Sequence, residues 1–553
     1  MNSFPRQKRA LTVEQMESRD MPSVSGFSPV PYLPPGTPAS NQFIVTLRPG
    51  VDAEQFATEL RGQGREVLQV YSHALNGLAY RGAPLGDDPR VALVEPDQRA
   101  HILGKPGSGS GTTPPAESVP LGVKRIGGGG PVGADLSKVN IAIIDSGIDA
   151  THPDLNVQGG ANFTSAKSWN DDNGHGTHVA GTAAAKDNDI GVVGVAPGAP
   201  LWAVKVLDRQ GSGWLSDIIK GVDWVTWTRS DKLPGSTEPN TANDIAVANM
   251  SLGGISHNVT YHTAIQNSVA KGVVYVVAAG NDGRNIYGTD GIPYSDSNVM
   301  AGADDSTPAS FDEVIAVSAL ADSNGSTGGG GPDTSYGADD TLATFSNWGG
   351  PVYDANGNKI ARGVEIAAPG VDIYSTYKGG GYTKMSGTSM ASPHVAGAVA
   401  LYIAKHGRAN DYDGVKAIRA AVVNAVQPMA DWRTDTAATD SDKDAFHEGL
   451  VWIRDMAVRS ITVAKPTQSN PSYGVTVSVE NQSAMAVSTF TITLYANGVL
   501  VGTQTVSNLG RGQSLPVQFD WSPVAGNYTL LALVSVPFDI DSTDDSLSLP
   551  YTV

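Results

Sequence analysis

Three segments of the chain carry residue types that together could run a nucleophilic hydrolysis: IAIIDSGIDATHPDL with Asp145, NGHGTHVAGTAAA with His175, and GTSMASPHVAGAVALY with Ser389. A serine hydroxyl is a weak nucleophile until a base takes its proton. A histidine serves as that base when a buried carboxylate fixes its tautomer and steadies the imidazolium. Singly, each residue has an ordinary explanation, since an Asp closing a strand is commonly a helix cap. Together they meet all three needs. Small residues after His175 and Ser389 (VAGTAAA, AGAVA) allow two helices to pack closely on a sheet. Ser389, near a helix N-terminus, also has its own backbone N–H where an oxyanion would form.

The elements that must position these residues read as a parallel sheet. From Pro120 to about Met456 the runs VNIAIID, APLWAVKVL, DIAVANMSL and GVVYVVAAG are short and apolar, with helical segments between them. That is the pattern of strands covered on both faces. Before them, NQFIVTLRPG, DAEQFATELRGQG, EVLQVYSHALNGLAYRG and RVALVEPDQRAH give strand, amphipathic helix and further strands, a small α+β unit. After Val458 the period changes to two in YGVTVSVEN, TFTITLYANG, VQFDWS and NYTLLALVSV, with Asn497-Gly498 as a hairpin turn, which reads as an antiparallel sandwich. Residues 22–40 and GKPGSGSGTTPPAE, from Gly104 to Glu117, are rich in Pro, Gly and Ser and read as linkers.

A chain of 553 residues exceeds what one core serves, and roughly two to four domains are expected. With 40% hydrophobic and 17% charged residues it packs a real core. The formal charge of -18 repels phosphate backbones and anionic lipid, so nucleic acid is not an expected partner. The absence of cysteine excludes a disulfide framework, a thiolate zinc site and a cysteine nucleophile. No apolar run approaches the roughly 20 residues of a membrane span.

The order Asp145, His175, Ser389 and the residues flanking them resemble the subtilisin-like serine proteases over nearly all of residues 120–456. The resemblance implies a subtilisin-like α/β fold, with a parallel sheet flanked by helices, and an endopeptidase working through an acyl-enzyme. It assigns Ser389 as nucleophile, His175 as general base then acid, and Asp145 as the orienting carboxylate, with Asn281 of VYVVAAGNDG as the second oxyanion donor. His178 and His394 are then bystanders. Gly211, Ser212 and Gly213 fall where such enzymes add the substrate as an extra strand, with Ser251, Leu252 and Gly253 as the other wall and Ala278, Ala279 and Gly280 lining the first specificity pocket. Extended polypeptide is the implied substrate. Trp214 and Leu215 are either an apolar contact further from the scissile bond or core packing, and Asp282 is either a pocket-rim residue or a solvated turn. The same resemblance implies a structural Ca²⁺ held by Asp154, the Asn188 side chain and the carbonyls of Lys186, Ile190 and Val192; a capped loop is the alternative. Hard oxygen donors suit calcium. The insertions at 282–310 and 321–340 could hold another ion or be surface loops, and Asp539, Asp541, Asp544 and Asp545 read as a solvated face.

Residues 41–101 resemble the inhibitor-type propeptide of this family, and PLGVKRIG resembles the start of mature proteinase K-like enzymes. The expected layout is therefore an export or sorting segment (1–40), an α+β propeptide (41–103), a linker with the maturation site (104–118), the catalytic domain (119–456) and an all-β immunoglobulin-like module (457–553). LTVEQMESRDMPS resembles an N-terminal motif of large exported bacterial surface proteins, which implies a location outside a bacterial cell or on its surface. The implied partners are polypeptide substrates and the chain's own propeptide, acting as an intramolecular inhibitor of a monomeric enzyme. A second reading makes the protease fold a scaffold for a surface adhesion protein, with the C-terminal module doing the binding. Loss of any of Asp145, His175 or Ser389 would favour it, and all three are present.

Overall fold

The computed structural model describes residues 41–106, 114–129, 135–229, 243–295, 299–427, 446–468, 471–483, 487–510, 512–536, 539 and 544–553. The expected export or sorting segment, 1–40, and Asp541 lie outside the described residues, and the 104–118 stretch is described only at its ends.

Residues 41–102 build the small α+β unit. Strands β1 (Gln42–Leu47), β2 (Glu66–Tyr71), β3 (Gly77–Arg81) and β4 (Val91–Pro96) form an antiparallel sheet in the order β2-β3-β1-β4. Helix α1 (Ala53–Gly62) begins where the Asp52 side chain accepts the Gln55 N–H, and it buries Ala53, Phe56, Ala57 and Leu60. That spacing is one helical face. The chain continues as β5 (Arg99–Ile102) and β6 (Lys105–Pro106).

The central unit starts with α2 (Leu121–Arg125), then β7 (Asn140–Asp145), β8 (Val157–Asn162), α3 (His175–Ala184), β9 (Leu201–Lys205), β10 (Ser212–Trp214), α4 (Leu215–Thr228), β11 (Ile245–Met250), β12 (Leu252–Ile255), α5 (Val259–Val269) and β13 (Val274–Ala278). It continues through β14 (Ser306–Thr307), β15 (Ile315–Ala321), β16 (Thr341–Leu342), β17 (Val352–Tyr353), β18 (Lys359–Ala361), β19 (Ile366–Pro369), β20 (Ile373–Tyr377), β21 (Gly381–Ser386), α6 (Thr388–His406), α7 (Tyr412–Asn424) and β22 (Gly449–Leu450). Eight strands run parallel in the order β22-β19-β15-β13-β11-β7-β9-β8, and β16 joins β15 antiparallel. Every residue of β7, β11, β13 and β15 is buried, as their continuous apolar runs require when both faces are covered. The 19-residue α6 packs on α3 and across β11, β13 and β15, and its small residues permit that approach.

Two antiparallel sheets close the chain: β23 (Met456–Ala464), β24 (Tyr473–Asn481) and β27 (Ser514–Trp521) in one, and β25 (Val487–Ala496), β26 (Val499–Leu509), β28 (Asn527–Ser535) and β29 (Ser546–Thr552) in the other. The Asn497-Gly498 turn has both φ angles positive, 48° and 77°, the hairpin geometry its sequence indicates. Asp539 departs from the expected solvated face. It is buried, accepts the Met456 N–H at 3.0 Å and, with Asp545, faces Lys405 at the end of α6.

Buried carboxylates join the N-terminal unit to the central one. Glu95 accepts the Val259 and Thr260 N–H groups opening α5, each at 2.9 Å, and Asp97 accepts the Ser216 N–H and Oγ–H near the start of α4. Helix N-termini favour negative charge. In the reverse direction, the fully buried Asp223 of α4 takes the N–H groups of Ser72, His73 and Ala74 at 3.2, 2.7 and 2.8 Å. An unpaired buried donor costs about 1–3 kcal/mol. Asp223→Ala is therefore expected to loosen the unit by about 2 kcal/mol or more, read as faster amide exchange at Ser72, His73 and Ala74. Unchanged exchange would show that these bonds do not hold it.

Candidate active site

Asp145 is the last residue of β7 and His175 the first of α3; both are fully buried. His175 Nδ1 lies 2.8 and 2.9 Å from the two Asp145 carboxylate oxygens. A carboxylate only accepts, so Nδ1 carries the proton. Nε2 has no hydrogen-bond partner among the described residues. The turn into α3 needs Gly174, whose φ is +112° and where a Cβ would meet the Tyr377 ring at 2.3 Å. Gly176 is forced similarly, because a Cβ there would lie 2.1 Å from the Gly147 carbonyl.

Ser389 is the second residue of α6 and is fully buried. Its Oγ donates to the Ser251 carbonyl at 2.9 Å, not to His175. The chain's own backbone occupies the space between these groups. Ser389 N–H donates to the Leu103 carbonyl at 3.1 Å, and the Asn281 side-chain amide donates to the same oxygen. Asn281 is held for this by Thr388, whose N–H and Oγ–H both bond its Oδ1 at 2.9 Å, so its NH₂ must face Leu103. The next residue is Gly104, where an added Cβ would stand 2.9 Å from His175 Nε2 and 3.4 Å from Met390 Sδ. One peptide bond, Leu103–Gly104, thus sits among Ser389, His175 and Asn281.

Strand addition sets that position. β5 lies antiparallel between β10 and β12, pairing Ser212 with His101, Gly213 with Ala100, Leu252 with Ile102 and Gly253 with His101. Ile102 N–H donates to Gly211 O at 2.9 Å and Leu103 N–H to Ser251 O at 3.2 Å. Beyond the cleft, β6 pairs with Met385 and Ser386 of β21. A Cβ on Gly213 would strike the Val206 carbonyl at 2.3 Å, and one on Gly253 would lie 3.0 Å from Leu103 Cδ1. Gly211, Ser212, Gly213, Ser251, Leu252 and Gly253 therefore come together around one strand. Ala278, Ala279 and Gly280 lie at the end of β13 just ahead of Asn281: Ala278 is paired with Val317, Ala279 N–H donates to Val317 O at 3.0 Å, and Gly280 N–H donates to Thr388 Oγ1 at 3.2 Å. Leu215 is buried and Trp214 half-buried. Asp282 is an exposed turn residue, 4.0 Å from Arg284 Nε.

Several residues that hold the site escape a reading of the sequence. Buried Asp171 accepts the Gly174 and Thr177 N–H groups and the hydroxyls of Ser146 and Thr177, while Ser146 Oγ takes the Gly176 N–H. It thereby ties the turn after Asp145 to the turn before His175. In WNDDNGHG it looks like any loop aspartate. His178 donates from Nε2 to the Ile373 and Thr383 carbonyls, and burial pushes its pKa down to about 3. His394 bonds the Met390 carbonyl within α6, and burial lowers it to about 4.

Asp154 is fully buried. Its Oδ2 accepts the Val192 N–H at 3.0 Å and the Tyr382 hydroxyl at 3.2 Å, while Oδ1 has no partner among the described residues. Burial, reinforced by the Glu117 charge, pushes its pKa up to about 6. Lys186 N–H donates to the Asp154 carbonyl, and Asn188 N–H to Glu117 at 2.6 Å. Ala116 and Ser118 pair with Ile190 and Val192. An orphaned, buried carboxylate oxygen is one that a hard cation could satisfy, and Glu117, which accepts the Asn188 N–H, is a second carboxylate near it. Among the described residues no three His, Cys, Asp or Glu side chains converge as a metal-holding group. In the insertions, Asp304 accepts from Thr289, and Asp339 from Ser323, Asn324 and Gly331. Asp340 accepts from the fully buried Arg125 at 3.0 Å.

The arrangement can be set beside known proteins. The Subtilase family pattern matches residues 137–451, and a second pattern, CARDB, matches 453–545. Subtilisin E of Bacillus subtilis (strain 168) is 39% identical over 326 residues, covering 58% of this chain and 68% of that protein. Subtilisin DY of Bacillus licheniformis is 41% identical over 297 residues (53% and 86%), and an alkaline protease of Shouchella clausii is 37% identical over 317 residues (57% and 64%). The α/β core, the small N-terminal α+β unit and the immunoglobulin-like C-terminal sheets agree with that kinship, and the chain belongs to the subtilase family of serine-type endopeptidases.

Proposed function

We propose that this endopeptidase works through Asp145, His175, Ser389 and Asn281, and that it is made as a precursor which cuts itself between Leu103 and Gly104. The observation that carries the reading is the Leu103 carbonyl, which accepts from both Asn281 Nδ2 and Ser389 N while Gly104 lies against His175. Two N–H donors converging on one carbonyl oxygen are what a developing oxyanion needs.

The reaction starts when Ser389 Oγ leaves the Ser251 carbonyl for His175 Nε2, which has no competing partner among the described residues. His175 takes the hydroxyl proton as Oγ attacks the carbonyl carbon. Asp145 holds Nδ1–H and stabilises the imidazolium. The oxyanion rests on Asn281 and Ser389 N–H. The C–N bond then breaks, and His175 passes its proton to the leaving amine. Water, deprotonated by His175, hydrolyses the acyl-enzyme and restores Ser389.

In this reading residues 41–103 are the propeptide, which stays in the cleft as a product until it is lost. Gly104, within the stretch first read as a linker, becomes the new N-terminus. The resemblance of LTVEQMESRDMPS to export motifs supports action outside a bacterial cell. A calcium ion held by Asp154, Glu117, Asn188 and the neighbouring carbonyls of Lys186, Ile190 and Val192 would clamp the loop after α3 and take no part in the hydrolysis.

Wild-type chain is expected to release a fragment ending at Leu103 and to digest casein, whereas Ser389→Ala does neither; intact mass and casein hydrolysis read both outcomes. A folded wild type that stays whole and inactive would sink the reading. Asn281→Ala should lower kcat about 100- to 1,000-fold, measured on a peptide substrate. EDTA should lower the melting temperature of the parent but not of Asp154→Asn. At free calcium one hundred times its Kd the ion adds about 2.7 kcal/mol. An equal response in both proteins would remove Asp154 from the metal site.

A further inference from the structure

The register of β5 fixes more than the reacting bond. Arg99 stands directly opposite Trp214 in the β5–β10 pair, five residues before Gly104, and its guanidinium carbon lies 4.5 Å from the centroid of the Trp214 ring. Directly opposed residues of an antiparallel pair share a face, so any strand that fills the cleft in this register presents its own residue at that place to the same indole. The next residue on β5, Ala100, is buried opposite Gly213, a position that accepts no side chain because a Cβ there would strike the Val206 carbonyl. Of these two adjacent β10 positions, only Trp214 presents a side chain to the strand.

A carboxylate follows Trp214 by three residues, one turn into the helix that Trp214 caps. Asp217, in the first turn of α4, accepts the Gln69 side-chain amide at 2.8 Å. Burial raises its carboxyl, and the Arg99 charge acts against that rise. Gln69 belongs to the N-terminal unit, so its departure frees that oxygen. An indole face and a carboxylate together form a receptor for a cation, the one through its quadrupole and the other through its charge.

We propose that Trp214 and Asp217 form a subsite that selects a basic side chain on the substrate residue five positions before the new N-terminus. The inference rests on the proposed cleavage at Leu103–Gly104 and names a preference that this reading alone does not require. The substrate class is an extended segment with a basic residue at that place.

The test compares three quenched-fluorescent peptides built on residues 98–105, carrying Arg, Ala or Glu at the position of Arg99, with processed enzyme and its Trp214→Ala, Trp214→Phe and Asp217→Asn variants. Wild type is expected to favour Arg over Ala by roughly five-fold in kcat/KM, the range of an exposed cation–π contact. That ratio should drop in Trp214→Ala to the part that Asp217 supplies, and drop less in Trp214→Phe. In Asp217→Asn the Arg-to-Glu ratio should shrink. Because each ratio is internal to one variant, loss of folded protein does not mimic the effect. Equal rates for Arg and Ala in wild type, or a ratio undiminished in Trp214→Ala, overturns the subsite and leaves the protease reading standing. If wild type cuts none of the peptides after leucine, the cleavage reading itself fails and takes the subsite with it.

Discussion

Backbone hydrogen bonds on both edges of Arg99–Ile102 decide where every reactive group in this molecule meets a peptide. A strand held on one side only could slide or tilt, but pairing with β10 and β12 fixes its height and register together. The Leu103 carbonyl then has one place to lie, and Asn281 and Ser389 are already aimed at it. Much of the central unit serves that alignment. Asp145 ends β7, Asn281 follows β13, and His175 and Ser389 open α3 and α6, so all four collect where parallel strands end and helices begin. This is the crevice in which open α/β sheets generally place their ligands.

The alignment is kept by groups that do no chemistry themselves. Thr388 orients the Asn281 amide by taking its oxygen, and Asp171 with Ser146 braces the two turns that carry Asp145 and His175. The burial of these polar groups makes their bonds directional and strong, because water is not there to replace them. The same rule operates at the N-terminal unit, where Glu95, Asp97 and Asp223 each satisfy backbone donors of the opposite partner. The unit is docked by this polar pairing together with apolar packing, since Ile44, Tyr71, Ala74, Leu75, Ala79 and Ala100 share one buried cluster with the central sheet.

The sheet was readable because strands covered on both faces leave long apolar runs, and β7, β9, β11 and β13 fall within the runs VNIAIID, APLWAVKVL, DIAVANMSL and GVVYVVAAG. The C-terminal strands with clean alternation were equally plain, whereas β26 and β29, whose faces are largely exposed, were not. Asp145, His175, Asn281 and the glycines of the cleft could be named from local patterns, and the structure brings them to one place. What could not be read was pairing across distance. Gly104, Lys105 and Pro106 look like linker, and only the pairing of β6 with β21 fixes that stretch against the central unit. Asp171 and Glu117 sit in ordinary loop stretches and Asp223 in an apolar helix, and the partners of all three are ones that sequence proximity does not reveal.

Without β5, β10 and β12 face each other as two bare strand edges. Bare edges are the usual starting point for uncontrolled association, because each recruited chain offers a fresh edge to the next. Here the gap spans two ladder spacings, about 9–10 Å, and admits a single strand. A segment that enters is bonded on both sides and presents nothing for another to join. The geometry that lets the cleft hold an extended strand thus also prevents it from seeding a growing sheet.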